Sequence, residues 1–270
     1  AYEISACLVG SEMCIRDRIS FELAQKRLSA DTVNFSASTS SLKKGESFKD
    51  TVQNIESMKI DAAVMRHPIP GSPLQLTNYI DAVVINAGDG AHEHPTQAIL
   101  DMMILHEKFG YLKGLKIAII GDIMHSRVAL SNIYGLKTMG AEVMLCGPST
   151  LIPRYAEDLG VKISYSIDEV IEWADALNVL RIQRERMQGG LLPSVREYRD
   201  LFGITNERML KHKKEIVVLH PGPINRGVEI DSSVVDSDQA IILDQVLNGV
   251  ASRMSILYLL LGGKPPEVSD

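Results

Sequence analysis

From residue 19 onward the chain alternates short apolar runs rich in β-branched residues with longer stretches in which apolar positions return every three or four residues. The first pattern predicts buried strands and the second amphipathic helices, and their regular alternation is the mark of parallel βαβ units. Strands are expected at 32–35, 62–65, 82–85, 115–120, 142–146, 176–180 and 215–219. Helices are expected to start near Ser20, Ser47, Pro95, Ser126, Ser166 and Asp244, several with a Ser or Asp able to accept from the first free amides. A polar turn with glycines at 109–114 precedes a new buried strand and marks the expected seam between two lobes. The predicted fold class is α/β with two domains, each a parallel sheet flanked by helices. A length of 270 residues suits two such domains better than one.

Ligands of open parallel sheets bind beyond the carboxyl ends of the strands, so the residues that follow each strand are informative. The run at 32–35 leads to Ser36, Ser38, Ser40, Ser41, Lys43 and Lys44, and the run at 62–65 leads to Arg66 and His67. The run at 82–85 leads through Asn86 to His92 and His94. Those at 115–120, 176–180 and 215–219 lead to Asp122 with Arg127, Arg181 with Gln183, and His220. The opposite rim is plainer, as at Gly140 and Ala141. Cations and hydrogen-bond donors thus gather on one rim, which predicts an anion-binding cleft shared by both lobes. The net charge of −6 repels nucleic acid and acidic membranes, so any attraction for anions has to be local. No apolar run reaches the roughly 20 residues that cross a bilayer, and a cytoplasmic protein is expected. Cys7, Cys14 and Cys146 have no metal-ligand spacing, so neither a disulfide framework nor a metal site is expected.

Single residues leave alternatives open. His94-Pro-Thr-Gln97 opens a helix with proline in the first turn, where no N–H is needed. His94 there either caps the helix or donates to a carbonyl oxygen as negative charge develops on it, with Gln97 touching an amide of the same ligand. Arg66 has a rigid strand-end base from which to fork onto a phosphate or carboxylate, or to form a structural ion pair. Lys43 and Lys44 lie in a serine-rich loop whose plainer reading is a solvated surface turn. Arg127 and Arg181-Ile-Gln183 suit carboxylates, and the prolines of His220-Pro-Gly-Pro223 fix a loop whose backbone can face a ligand. Gly121-Asp-Ile-Met-His-Ser-Arg127 lacks the later fingerprint glycines of a dinucleotide site, and no acidic residue closes the following strand. No hydrolase triad order and no phosphate-loop lysine are present.

Four motifs together resemble the signature set of the aspartate/ornithine transcarbamylase family, in order and at family spacing. They are Asn86-Ala-Gly-Asp-Gly-Ala-His-Glu-His-Pro-Thr-Gln97, Gly121-Asp-Ile-Met-His-Ser-Arg127, Arg181-Ile-Gln-Arg-Glu-Arg186 and His220-Pro-Gly-Pro-Ile-Asn-Arg-Gly227. The last is similar to the aspartate type, because ornithine enzymes carry His-Cys-Leu-Pro there. The resemblance implies an aspartate carbamoyltransferase that moves the carbamoyl group of carbamoyl phosphate to L-aspartate in pyrimidine biosynthesis, without a cofactor or metal. It implies a carbamoyl-phosphate-binding domain at 19–110 and an aspartate-binding domain at 111–262, whose C-terminal helix returns to the first domain. By the same resemblance Arg16, Arg66 and His94 serve catalysis, and Arg16, Arg66, His94, Gln97, Gly222 and Pro223 hold carbamoyl phosphate. Lys44, Arg127, Arg181 and Gln183 hold aspartate. A homotrimer with shared active sites is implied, Lys44 reaching a neighbouring subunit, and a regulatory or dihydroorotase partner is compatible with it.

The chain departs from the family just before Ser20. Where the family has Ser-Thr-Arg-Thr-Arg, this sequence reads Cys14-Ile-Arg-Asp-Arg18. Asp17 sets a negative charge where the anion needs a donor, which predicts a folded but catalytically poor chain. Residues 1–18 are unmatched by this reading and look like translated adapter sequence, the expectation being a truncated or replaced N-terminal segment. A non-catalytic homologue acting as a binding or scaffolding subunit is the alternative.

Overall fold

The computed structural model describes residues 5–10, 15–35, 47–183, 194–212 and 215–263. It divides into two compact units, unit 1 from residues 1–96 and 247–270 and unit 2 from residues 97–246. The expected seam at 109–114 lies beyond this division, inside unit 2.

Unit 1 contains β1 (Ser5–Gly10), α1 (Ile15–Arg27), β2 (Asp31–Phe35), α2 (Phe48–Glu56), β3 (Ala62–His67), α3 (Ser72–Leu76) and β4 (Val83–Asp89). Its four strands form one parallel sheet in the order β2-β1-β3-β4. Residues 5–10, inside the segment set aside by the sequence reading, thus form an interior strand of the sheet. Successive residues of β3 go to opposite faces, as a strand requires. Val64 joins Phe21, Ala24, Ile85, Val250 and Leu257, while Ala63 and Met65 join Val52, Leu76 and Ile80. Val250 and Leu257 bring the C-terminal helical residues into the core of unit 1. Covering both faces explains why β3 reads as an unbroken apolar run rather than an alternating one.

The helix α4 (Pro95–Phe109) carries the chain into unit 2, which continues with β5 (Lys116–Ile120), α5 (Arg127–Thr138), β6 (Glu142–Cys146), β7 (Lys162–Ser164), α6 (Ile167–Trp173) and β8 (Ala176–Val179). It ends with α7 (Val195–Phe202), α8 (Asn206–His212), β9 (Val217–Leu219), α9 (Ser232–Val235) and α10 (Ile242–Leu260), the last passing into unit 1 at Leu247. The sheet is parallel, in the order β7-β6-β5-β8-β9. Its faces are again separate cores. Ile117, Ile119, Leu145, Val217 and Leu219 lie on one side, and Ala118, Ile120, Leu177, Val179 and Val218 on the other.

All seven strands expected from the sequence are present within a few residues, and β1 and β7 are additional. The serine caps hold: Ser47, Ser126 and Ser166 each accept from an amide in the first turn of their helices. The short helices α3, α7, α8 and α9 were not anticipated. α3, α8 and α9 present only one to three buried residues each, and α7 buries Tyr198 and Phe202 four apart in a helix of just eight residues, too short a run to stand out. None of the helices among the described residues is long and apolar enough to cross a membrane.

Candidate functional site

In unit 1 the site is built where β3 and β4 end. β4 carries one extra residue opposite Arg66, since Met65 pairs with Asn86 but His67 pairs with Asp89. Such a bulge re-aims the side chains at a strand end. Gly90 then lets the two loops touch. Its φ is +54°, and a Cβ there would meet the Pro70 ring at 2.7 Å and the Pro68 carbonyl at 2.9 Å. Buried Asp89 ties the loop down by accepting from Gly71 N (2.7 Å), Asn86 Nδ2 (3.0 Å) and Glu93 N (3.1 Å), and it pairs with His92 at 3.1 Å. His92 is therefore a loop residue with a structural partner, and His94 is delivered at the start of α4.

Three basic side chains converge there on one carboxylate of α1. Asp17 Oδ2 accepts from Arg66 Nη1 and lies 3.5 Å from His94 Nε2, while Asp17 Oδ1 accepts from Arg253 Nη2 at 2.9 Å. None of the four side chains is more than 15% exposed. Arg253 is locked by further bonds to Ser20 Oγ (3.0 Å) and Gly249 O (3.1 Å), and its guanidinium lies 5.0 Å from the Phe21 ring centroid. Burial alone would push the Asp17 carboxyl up, but the His94 hydrogen bond and the charges around it prevail and hold it far below the usual range. Burial holds the His94 imidazole below its ordinary value despite Asp17, which favours its neutral form. The two arginines supply the positive charge. Chemically this is an anion site that a carboxylate of the same chain fills.

In unit 2 the strand order reverses between β5 and β8, the place where open parallel sheets hold ligands. Gly121 closes the gap between the two strand ends, with φ +121° and only 2.9 Å from a Cβ position to the Leu180 carbonyl. Buried Asp122 accepts from His125 N (3.2 Å), pairs with His125 Nδ1 (2.8 Å) and accepts from Gln183 N (3.3 Å), so it clamps the two loops together. Ser126 caps α5 through Val128 N and Ala129 N, which sets Arg127 at the first helical position, buried. Arg181 and Gln183 follow β8 directly and are half-buried.

The loop after β9 joins the same rim. His220 N donates to Gln245 Oε1 (2.9 Å), and Gly222 N donates to His220 Nδ1 (2.8 Å). Asn225 N donates to Glu229, and Asn225 Nδ2 reaches Ile182 O at 3.5 Å, next to Arg181 and Gln183. The peptide bond between Gly222 and Pro223 is cis. Gln97, one turn into α4, donates its amide to buried Asp101 at 2.8 Å.

The structure thus gathers Arg66 with His94 in unit 1, and Arg127, Arg181, Gln183 and the 220–223 loop along one rim of unit 2. Lys44 and the side chain of Arg16 lie outside the described residues. Sequence reasoning missed Arg253, Asp89 and Asp101. The available signal was a charge at a helix position whose neighbours are apolar, since Arg253 and Asp101 are both buried. Among the described residues no group of three His, Cys, Asp or Glu side chains could hold a metal ion.

Residues 5–107 match the family described as Aspartate/ornithine carbamoyltransferase, carbamoyl-P binding domain, and residues 113–260 match its Asp/Orn binding domain. The aspartate carbamoyltransferase catalytic subunit of Christiangramia forsetii is 59% identical over 249 residues, covering 92% of this chain and 80% of that protein. Aspartate transcarbamoylase from Trypanosoma cruzi, solved in complex with carbamoyl phosphate, superposes with a TM-score of 0.85 at 30% identity, covering 94% of this chain and 82% of that one. The same enzyme in complex with N-(phosphonacetyl)-L-aspartic acid gives a TM-score of 0.84 at 31% identity, with 94% and 82% covered. With both halves matched in sequence and the fold matched in space, the chain belongs to the aspartate/ornithine carbamoyltransferase family.

Proposed function

We propose that this chain is an aspartate carbamoyltransferase: the deprotonated amine of L-aspartate attacks the carbonyl carbon of carbamoyl phosphate, the bond to the phosphate oxygen breaks, and N-carbamoyl-L-aspartate and phosphate are released. The observation that carries this reading is the convergence of Arg66, His94 and Arg253 on a single anionic group in unit 1. It is supported by Arg127 and Arg181 at the strand reversal of unit 2. Unit 1 is read as the carbamoyl-phosphate lobe and unit 2 as the aspartate lobe. Arg16, Arg66, His94, Gln97 and the backbone at Gly222 and Pro223 hold carbamoyl phosphate; Arg127, Arg181, Gln183 and Lys44 hold aspartate. Neutral His94 suits donation to the carbonyl oxygen as negative charge grows on it. Positioning two anions in attack geometry supplies about 7–11 kcal/mol of rate enhancement, so the residues need no cofactor for this chemistry.

A trimer in which Lys44 serves a neighbouring subunit belongs to the same reading and is checked by sedimentation. A regulatory or dihydroorotase partner rests on the resemblance alone. A second reading, a binding or scaffolding homologue with little turnover, is favoured by one observation: Asp17 already fills the cluster of unit 1. The deciding experiment supplies carbamoyl phosphate with L-aspartate or L-ornithine to the chain and to its Asp17→Asn form, and follows carbamoyl product and phosphate. Carbamoyl aspartate from either form supports the enzyme. No product from both forms supports the second reading, and preference for ornithine overturns the choice of acceptor.

A further inference from the structure

Asp101 is fully buried on α4, yet the four side chains bonded to it are all neutral amides. Gln97 Nε2 and Gln245 Nε2 each donate to its Oδ1 at 2.8 Å, and Asn132 Nδ2 (2.8 Å) and Asn178 Nδ2 (3.2 Å) donate to its Oδ2. A buried carboxylate usually comes with a cation, because its desolvation is costly. Burial accordingly pushes this carboxyl up, against the pull of the four amides. Such an arrangement is a poor stabilising device, so its value is sought in orientation.

The orientations are fixed from outside the cluster. The backbone N–H of His220 can only donate, so the Gln245 atom facing it is the oxygen, and the Gln245 NH2 must face Asp101. Asn132 Nδ2 also donates to the Val128 carbonyl at 3.2 Å, which fixes that amide in the same sense. Asp101 is thereby an acceptor toward Gln97 as well. Gln97 has to spend its NH2 on Asp101 and keep its carbonyl oxygen for another donor.

We propose that Asp101 is a positioning residue for carbamoyl recognition: it holds the Gln97 oxygen ready to accept from the NH2 of the carbamoyl group, and through Gln245 it steadies the His220–Pro223 loop. This rests on the reading of Gln97 as a ligand of carbamoyl phosphate. The nucleophile and the leaving group are untouched by Asp101. Its contribution is to distinguish a carbamoyl NH2, a donor, from the oxygens of a plain phosphate, which only accept.

The test compares carbamoyl phosphate with inorganic phosphate by calorimetry, in the chain and its Asp17→Asn form, each with and without Asp101→Asn, Gln97→Ala and the pair together. An asparagine at 101 turns one acceptor edge into a donor and frees Gln97 to flip. Carbamoyl phosphate is expected to bind about tenfold more weakly to Asp101→Asn, the worth of roughly one buried hydrogen bond, while inorganic phosphate changes less than about twofold. The pair should bind about as weakly as Gln97→Ala alone. Equal losses for both ligands, or losses that multiply in the pair, would overturn the proposal and leave Asp101 a merely structural residue. Failure of carbamoyl phosphate to bind either parent form would sink the ligand reading and this proposal with it. Should Asp101→Asn not fold, chains labelled with 15N-glutamine decide the matter. The Gln97 side-chain NH2 is expected to resist exchange in heavy water, and exchange as fast as that of an exposed glutamine would overturn the assignment.

Discussion

Two buried carboxylates, Asp17 in unit 1 and Asp101 in unit 2, are used in opposite ways. In unit 1 Asp17 draws in two arginines and a histidine and neutralises the charges that would hold an anion. In unit 2 Asp101 gathers four neutral side-chain amides and, through Gln245, sets the orientation of the loop at His220. On the proposed reading the first arrangement competes with a ligand and the second prepares for one. The same side chain therefore occupies or organises a site according to whether its partners are the charges a ligand needs or the dipoles that frame it.

The largest expected effect separates these two roles. Asp17→Asn removes the internal competitor, and carbamoyl phosphate or inorganic phosphate should bind on the order of a thousandfold more tightly, because the arginines left without a carboxylate carry about 3–5 kcal/mol of uncompensated charge that a phosphate can meet. Calorimetry on the two chains measures this, and unchanged affinity would mean that Asp17 does not compete. The pairing also has a pH signature. Because the folded carboxyl is depressed, its stabilisation is present above the ordinary carboxylate range and is lost only as pH falls through the folded value. The difference in unfolding midpoint between parent and variant should persist through mildly acid pH and close only in strong acid.

Next in size, His94→Ala should lower kcat by about 10² to 10³ while sparing the fold, as loss of one oxyanion donor does. Steady-state kinetics on the Asp17→Asn form would detect it, and an unchanged kcat would remove His94 from the chemistry. The smallest effect concerns how unit 2 holds Arg127. Ser126→Ala deletes the cap that fixes the start of α5 and should cost about 1 kcal/mol in urea unfolding. The aspartate KM is expected to rise with carbamoyl-phosphate affinity unchanged, and equal effects on both ligands would erase the division of labour between the units.

Much of this was legible in the chain because it is local. Arg66 lies at the end of its strand in unit 1, and Arg181, Gln183 and His220 lie just beyond theirs in unit 2, so finding the strands by their apolar runs was enough to place each at the carboxyl edge of its own sheet. Ser126 announced α5 and thereby the position of Arg127. β1 escaped because its segment was set aside as foreign, and β7 because three residues carry too little pattern to read. Asp17 was visible as a wrong charge in the sequence, but its contact with Arg253 was not.

The amino-acid order alone determined the fold class, the strand ends and the family, since each follows from residue type and spacing within a few turns of chain. Only the tertiary structure decided which groups share a proton donor or a charge. Asp17 and Arg253 are 236 residues apart, and Asp101 and Gln245 are 144 apart. No periodicity reaches across such separations. What joins them is the burial of several apolar faces at once, which brings distant polar groups together where water cannot satisfy them.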